Sequence, residues 1–169
     1  MIKMYQETLV ILKPDALERN LVGAIIDRFE RAGLKILDMR FYAEVDRELL
    51  GRHYLDSMAE SLGKKAQLAS PGITDPVAHG YKVLDRLKKY FTRNPVLAVR
   101  FGGENTIQLV REVTGYTDPA TAKKGTIRGD YGVDSIAKST AEGRACENLI
   151  HASGNSEEAK AELVLWFSK

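Results

Sequence analysis

Hydrophobic residues along this chain come in short runs, and the change in their spacing from segment to segment lays out the elements. Glu7-Thr8-Leu9-Val10-Ile11-Leu12-Lys13 is rich in β-formers and stops at Pro14, which predicts a buried strand with Lys13 at its carboxyl edge. After a polar turn (Pro14, Asp15, Arg19, Asn20), Val22, Ile25, Ile26 and Phe29 fall at helical spacing, and Gly33 is placed to cap that helix in the left-handed conformation. Leu34 to Glu44 alternates and predicts a second strand. Asp46 fits an N-cap, with Glu48 in the first turn, and Leu50, Tyr54 and Met58 then share one helical face until Gly63 breaks the pattern.

Residues 63–80 read as irregular, with Pro71-Gly72 and Asp75-Pro76 as turn signals. Helical character returns at Val83, Leu84 and Leu87 and runs to Phe91. Pro95 to Phe101 predicts a third strand, closed by Gly102-Gly103. Asn105 then caps a helix carrying Ile107, Leu109, Val110 and Val113 that ends at Gly115. Tyr116 to Glu147 reads as a long, mostly irregular stretch broken by Gly125, Gly129, Gly132 and Gly143. Asn148 to His151 reads as a short edge strand or loop, and Ser156 caps a last helix with Glu157 and Glu158 where the dipole favours acids. This order predicts a compact α/β sandwich with helices over one face of a mostly antiparallel sheet.

Composition narrows the classes without choosing among them. The length, 169 residues, suits one domain, and no stretch has the character of a linker. With 25 basic and 23 acidic residues the net charge is +2, and basic residues are not interleaved with aromatics, so nucleic acid is not expected as the main partner. One cysteine, Cys146, excludes an intrachain disulfide and points to a reducing compartment. No apolar run approaches the roughly 18 residues of a membrane span. Met1 to Lys13 is too short and polar-flanked for a secretory leader, so a cytoplasmic location is expected.

The chemistry concentrates at three places. Lys13 ends a strand; Gly125-Thr126-Ile127-Arg128-Gly129-Asp130 could be a plain turn, yet two glycines flanking an arginine let a backbone approach a phosphate while the guanidinium presents its fork. His151 follows Asn148 and precedes Ser153, and Glu162 lies downstream, where a compact fold brings it near enough to hold one ring nitrogen and leave the other as a nucleophile. Missing are a G-x-x-x-x-G-K-[ST] loop, the protein-kinase motifs, an opening G-x-G-x-x-G and any zinc-spaced Cys/His cluster.

Taken together, Thr8 to Ala16 (TLVILKPDA), Gly125 to Asp130 (GTIRGD), Asn148 to Ser153 (NLIHAS) and the Leu165-Trp166-Phe167 tail resemble, in order, the nucleoside diphosphate kinase family. The resemblance implies a ferredoxin-like βαββαβ core with an antiparallel sheet and an extra helical hairpin, in a single domain over residues 1–169. It implies a ping-pong reaction in which His151 takes the γ-phosphoryl of a nucleoside triphosphate and yields it to a nucleoside diphosphate. Lys13 and Tyr54 would stand beside the transferred phosphoryl, and Glu162 would hydrogen-bond His151. Arg111, Thr117 and Arg128 would hold phosphates, and Asn148 the ribose 3′-hydroxyl. Mg²⁺ would bridge phosphate oxygens with few protein ligands, and the chain would assemble as a homohexamer or homotetramer.

The chain departs from the family pattern in insertions around 63–82 and 132–147 and in Glu147, where the family usually has Arg. The aromatic that normally stacks on the base has no clear counterpart; Val83 falls at that position, with Tyr81 nearby. A non-catalytic relative would lose the nucleophile or a phosphate-holding cation, and here all are present.

Overall fold

The computed structural model describes residues 4–168; Met1 to Lys3, part of the segment considered as a leader, lie outside them. The β-prone run forms β1 (Tyr5–Leu12) and is followed at once by a short helix α1 (Pro14–Glu18), whose first position takes the proline. Then come α2 (Val22–Arg31), β2 (Lys35–Tyr42), α3 (Arg47–His53), α4 (Ala59–Ala69), α5 (Pro76–Phe91) and β3 (Val96–Glu104). The remainder is α6 (Thr106–Thr114), α7 (Ile127–Tyr131), α8 (Ile136–Ala141), β4 (Ile150–Ala152) and α9 (Ser156–Phe167).

Among the described residues the sheet has four strands in the order β2-β3-β1-β4, each neighbour antiparallel. With α2 and α6 as crossovers this is the βαββαβ arrangement, and α4 and α5 form the extra hairpin between β2 and β3. Helices cover both faces of the sheet, not the one face expected. β1 alternates between two cores: Leu9 and Ile11 pack with Leu50, Leu84, Phe91 and Trp166, while Val10 and Leu12 pack with Ile25, Phe29 and Val110. A continuous apolar run, rather than a polar–apolar alternation, is the signature of a strand buried on both sides. β4 is the short edge strand the sequence allowed, and its pairing of Ile11 with His151 brings the nucleophile candidate to the end of β1.

The hairpin differs most from the sequence reading. Residues 63–80 are largely helical, because Gly63 and Gly80 do not break helices but let them touch. A Cβ at Gly63 would lie 1.6 Å from the Pro76 carbonyl oxygen, and one at Gly80 1.8 Å from that of Ala59. Asp75 and Pro76, read as a turn, begin α5: Asp75 Oδ1 accepts the Ala78 N–H at 2.9 Å and proline occupies the first turn.

Three smaller differences follow the same logic of caps. α3 stops at His53, so Tyr54 and Met58 do not continue its face. α9 is capped by Asn155, whose side chain accepts the Glu158 N–H, leaving Ser156 as its first residue. The stretch 116–147 contains α7 and α8, capped by Thr126 and Ser135.

Candidate active site

All eight residues singled out from the sequence, Lys13, Tyr54, Arg111, Thr117, Arg128, Asn148, His151 and Glu162, line one cavity of about 590 Å³. They reach it from β1, the end of α3, α6 and the loop after it, α7, the approach to β4, β4 itself and α9. The sheet end gathers them because β1 and β4 are neighbours and α9 packs back on β1.

His151 Nε2 stands 3.0 Å from both oxygens of Glu162. Ser153 donates its hydroxyl to Glu162 Oε2 at 2.6 Å, a second bond to a carboxylate that is 7% exposed. Burial alone would raise the Glu162 carboxyl, but His151 and these hydrogen bonds hold it down at about 2. Behind His151 lies His53, ring centroids 4.5 Å apart and nearly perpendicular. The Trp166 indole N–H donates to His53 Nδ1 at 3.2 Å. Burial and the neighbouring His151 lower His53 to about 3, so it stays neutral and leaves the Glu162 charge to His151. His53, His151 and Glu162 offer ligand atoms within 4.8 Å of one another, yet the Trp166 N–H occupies His53 Nδ1 and Glu162 occupies His151 Nε2.

Lys13 is 5% exposed and donates to Asn148 Oδ1 at 2.7 Å. Burial, with Arg128 adding repulsion, lowers its ammonium to about 8. The other end of the Asn148 amide donates to the Thr117 carbonyl at 2.9 Å. Arg128 spends three of its N–H groups on main-chain carbonyls, those of Asn148 (3.0 Å), Gly115 (3.1 Å) and Ile150. A guanidinium has five N–H groups, so two remain for a ligand. Its glycine neighbour serves the protein itself: a Cβ at Gly129 would lie 2.0 Å from the Lys123 carbonyl oxygen. Arg111, exposed in the last turn of α6, and buried Tyr54 complete the wall.

Sequence reasoning missed several supporting residues. Ser153 enters the sequence reading only as a neighbour of His151 and Trp166 only as part of the tail, and His53 does not enter it. Asp15 passed for a turn residue, but it is 1% exposed and accepts from the Tyr90 hydroxyl and, at 3.1 Å, from the Leu149 N–H. Only an excess of signal at Pro14-Asp15, an acid beside a buried lysine, could have pointed to it.

On the side of the hairpin and α8 the cavity is lined by Leu62, Ala66, Val83, Leu87 and Ile136, with the cations Lys65 and Arg86 among them. Val83 lines it, whereas Tyr81 is 51% exposed and outside it. Glu147 ties its loop to Arg93 at 2.6 Å, and Arg93 also pairs with Glu18 at 2.8 Å.

The family model for Nucleoside diphosphate kinase matches residues 6–67 and 76–169, leaving out the tip of the α4–α5 hairpin. A nucleoside diphosphate kinase of Pyrobaculum aerophilum is 39% identical over 173 residues, covering 96% of this chain and 94% of the relative. The crystal structure of an NDP kinase from the same organism superposes with a TM-score of 0.88 at 36% identity, covering 98% of this chain and 97% of that one. A transition-state mimic of the Borrelia burgdorferi nucleoside-diphosphate kinase, with bound vanadate and ADP, gives a TM-score of 0.83 at 34% identity, covering 98% and 88%. With the family model spanning nearly the whole chain and the motifs meeting in one cavity, the chain belongs to the nucleoside diphosphate kinase family.

Proposed function

We propose that this kinase transfers the γ-phosphoryl of a nucleoside triphosphate to a nucleoside diphosphate in two displacements on His151. The observation that carries the reading is the pairing of His151 Nε2 with both Glu162 oxygens, in a cavity where Lys13, Arg111 and Arg128 converge. The carboxylate fixes the proton on Nε2, so Nδ1 keeps its lone pair for phosphorus. In the first displacement the Nδ1–P bond forms as the bond from phosphorus to the bridging oxygen breaks, and the nucleoside diphosphate leaves. The second nucleoside diphosphate reverses these events with its terminal oxygen.

Phosphoryl transfer asks mainly for positioning and for charge opposite the oxygens. Lys13 faces the transferred group, Arg111, Thr117 and the two remaining N–H groups of Arg128 take the phosphates, and Tyr54 closes the wall beside them. Asn148 and Lys13 bind the ribose 3′-hydroxyl region as a preformed pair. Mg²⁺ fits this site as part of the nucleotide: the lining carboxylates Glu158 and Glu162 are already committed, to Gly154 and Asn155 and to His151 and Ser153. Bound to the phosphates, the ion would supply charge neutralisation on their oxygens. The aliphatic side chains on the hairpin side, with Val83, suit the base.

Assembly into a homohexamer or homotetramer is supported by the edge strand β2, which leaves Leu37, Met39 and Phe41 outward at 43%, 43% and 64% exposure. Among the described residues no helix is long and apolar enough to cross a membrane, and the single cysteine supports a cytoplasmic setting.

Incubation of the protein with γ-labelled ATP and Mg²⁺ tests the mechanism. An acid-labile, base-stable label on the wild type, absent from His151→Ala and discharged by GDP, is expected. Label persisting on His151→Ala, or exchange activity without any labelled protein, sinks the phosphohistidine route.

A further inference from the structure

Between Asn148 and His151 the backbone bends in a way a leucine rarely accepts. Leu149 has φ +68°, is fully buried, and is bridged by a 2.8 Å hydrogen bond from the Ile150 N–H to the Asn148 carbonyl. An i→i+2 bond around a positive-φ residue is the rare, strained form of the γ-turn. Its effect is a change of phase. In an extended strand residues 148 and 150 share one face, and 149 and 151 the other. Here Leu149 and Ile150 both enter the core, Ile150 also touching the cavity, while Asn148 and His151 both line the cavity. A regular strand would send one of those two away from the nucleotide.

Strain of this kind persists only where the surroundings fix it. Arg128 binds the carbonyls on either side, of Asn148 and Ile150. The Lys13 N–H binds the Leu149 carbonyl at 2.8 Å. The Leu149 N–H goes to Asp15 Oδ2, and the Tyr90 hydroxyl holds the other carboxylate oxygen. Neither Asp15 nor Tyr90 lines the cavity.

We propose that Asp15 is a positioning residue for phosphoryl transfer: its buried carboxylate, aimed by Tyr90, locks the Leu149 turn and so sets Asn148 and His151 on the same wall. This rests on His151 being the nucleophile, so the test starts with the labelled wild type. Single-turnover phosphorylation by ATP is then compared in Asp15→Ala, Asp15→Asn and Tyr90→Phe, together with kcat and KM.

Asp15→Ala is expected to slow phosphorylation about 10²-fold, the scale of a misplaced reacting group, with a much smaller rise in KM because Lys13 and Arg111 remain. Asp15→Asn keeps an acceptor for the Leu149 N–H and should recover the rate to within about tenfold of wild type. Tyr90→Phe should fall between the two. A folded Asp15→Ala with the wild-type rate overturns the proposal. So does Asp15→Asn as slow as Asp15→Ala, since charge beside Lys13 and not the turn would then be at stake. Should Asp15→Ala not fold, a wild-type rate in Tyr90→Phe overturns it equally. An unlabelled wild type takes down the His151 reading as well, whereas a labelled wild type with a fast Asp15→Ala counts against Asp15 alone.

Discussion

At the sheet end of the cavity Lys13 is bonded to Asn148, 135 residues away, and Arg128 to three main-chain carbonyls. At the hairpin end the bonds are local, Lys64 to Glu60 within α4 and Ser61 to the Met58 carbonyl just before it, and aliphatic side chains share the wall with Lys65 and Arg86. The first end is fixed by contacts from distant parts of the chain; the second is shaped by how closely two helices pack. Charge develops on the phosphoryl oxygens, so rigidity there lowers the barrier. A base is gripped by its faces, and aliphatic side chains serve many of them.

If that division is right, substitutions at the two ends should separate turnover from stability. The largest effect is expected from Lys13→Met, about 10³-fold in kcat/KM by steady-state exchange, the scale of one lost stabilising donor. Glu162→Gln comes next at about 10²-fold in phosphorylation rate, because the amide no longer fixes the His151 tautomer. The same contrast has a pH signature. Lys13 loses its proton above about 8 in the free enzyme, so kcat/KM should fall on the alkaline side by up to about tenfold per pH unit; a flat profile to pH 10 would remove Lys13 charge from the mechanism. At the hairpin, Gly80→Ala should cost about 3 kcal/mol in urea unfolding through overpacking, while kcat of the folded protein stays within about threefold. A Gly80→Ala protein as stable as wild type would mean the helices are not locked at that contact.

How much could be read beforehand divides along the same line. β1, β3, α6 and the edge position of His151 were legible because periodicity is local. So were Lys13, Arg128, Asn148 and His151, which sit in short ordered motifs; Tyr54, Arg111, Thr117 and Glu162 lie outside those strings and followed from position alone. Gly63 and Gly80 misled because a glycine marks either a break or a close approach, and only the partner helix decides. Tyr54 lost its predicted helix because α3 ends at His53. Asp15 was missed for another reason: its hydrogen-bond partner Leu149 is 134 residues away, and no spacing rule reaches so far.

That separation also governs when the site can exist during synthesis. β1 leaves the ribosome early, but its β4 edge stays unpaired until residues 150–152 arrive. Closing so long a loop costs entropy that only late contacts repay. A nascent chain halted before Asn148 would hold β1, β3 and the helices through α8 but neither the nucleophile nor α9, so phosphorylation competence reports the last act of folding rather than its beginning.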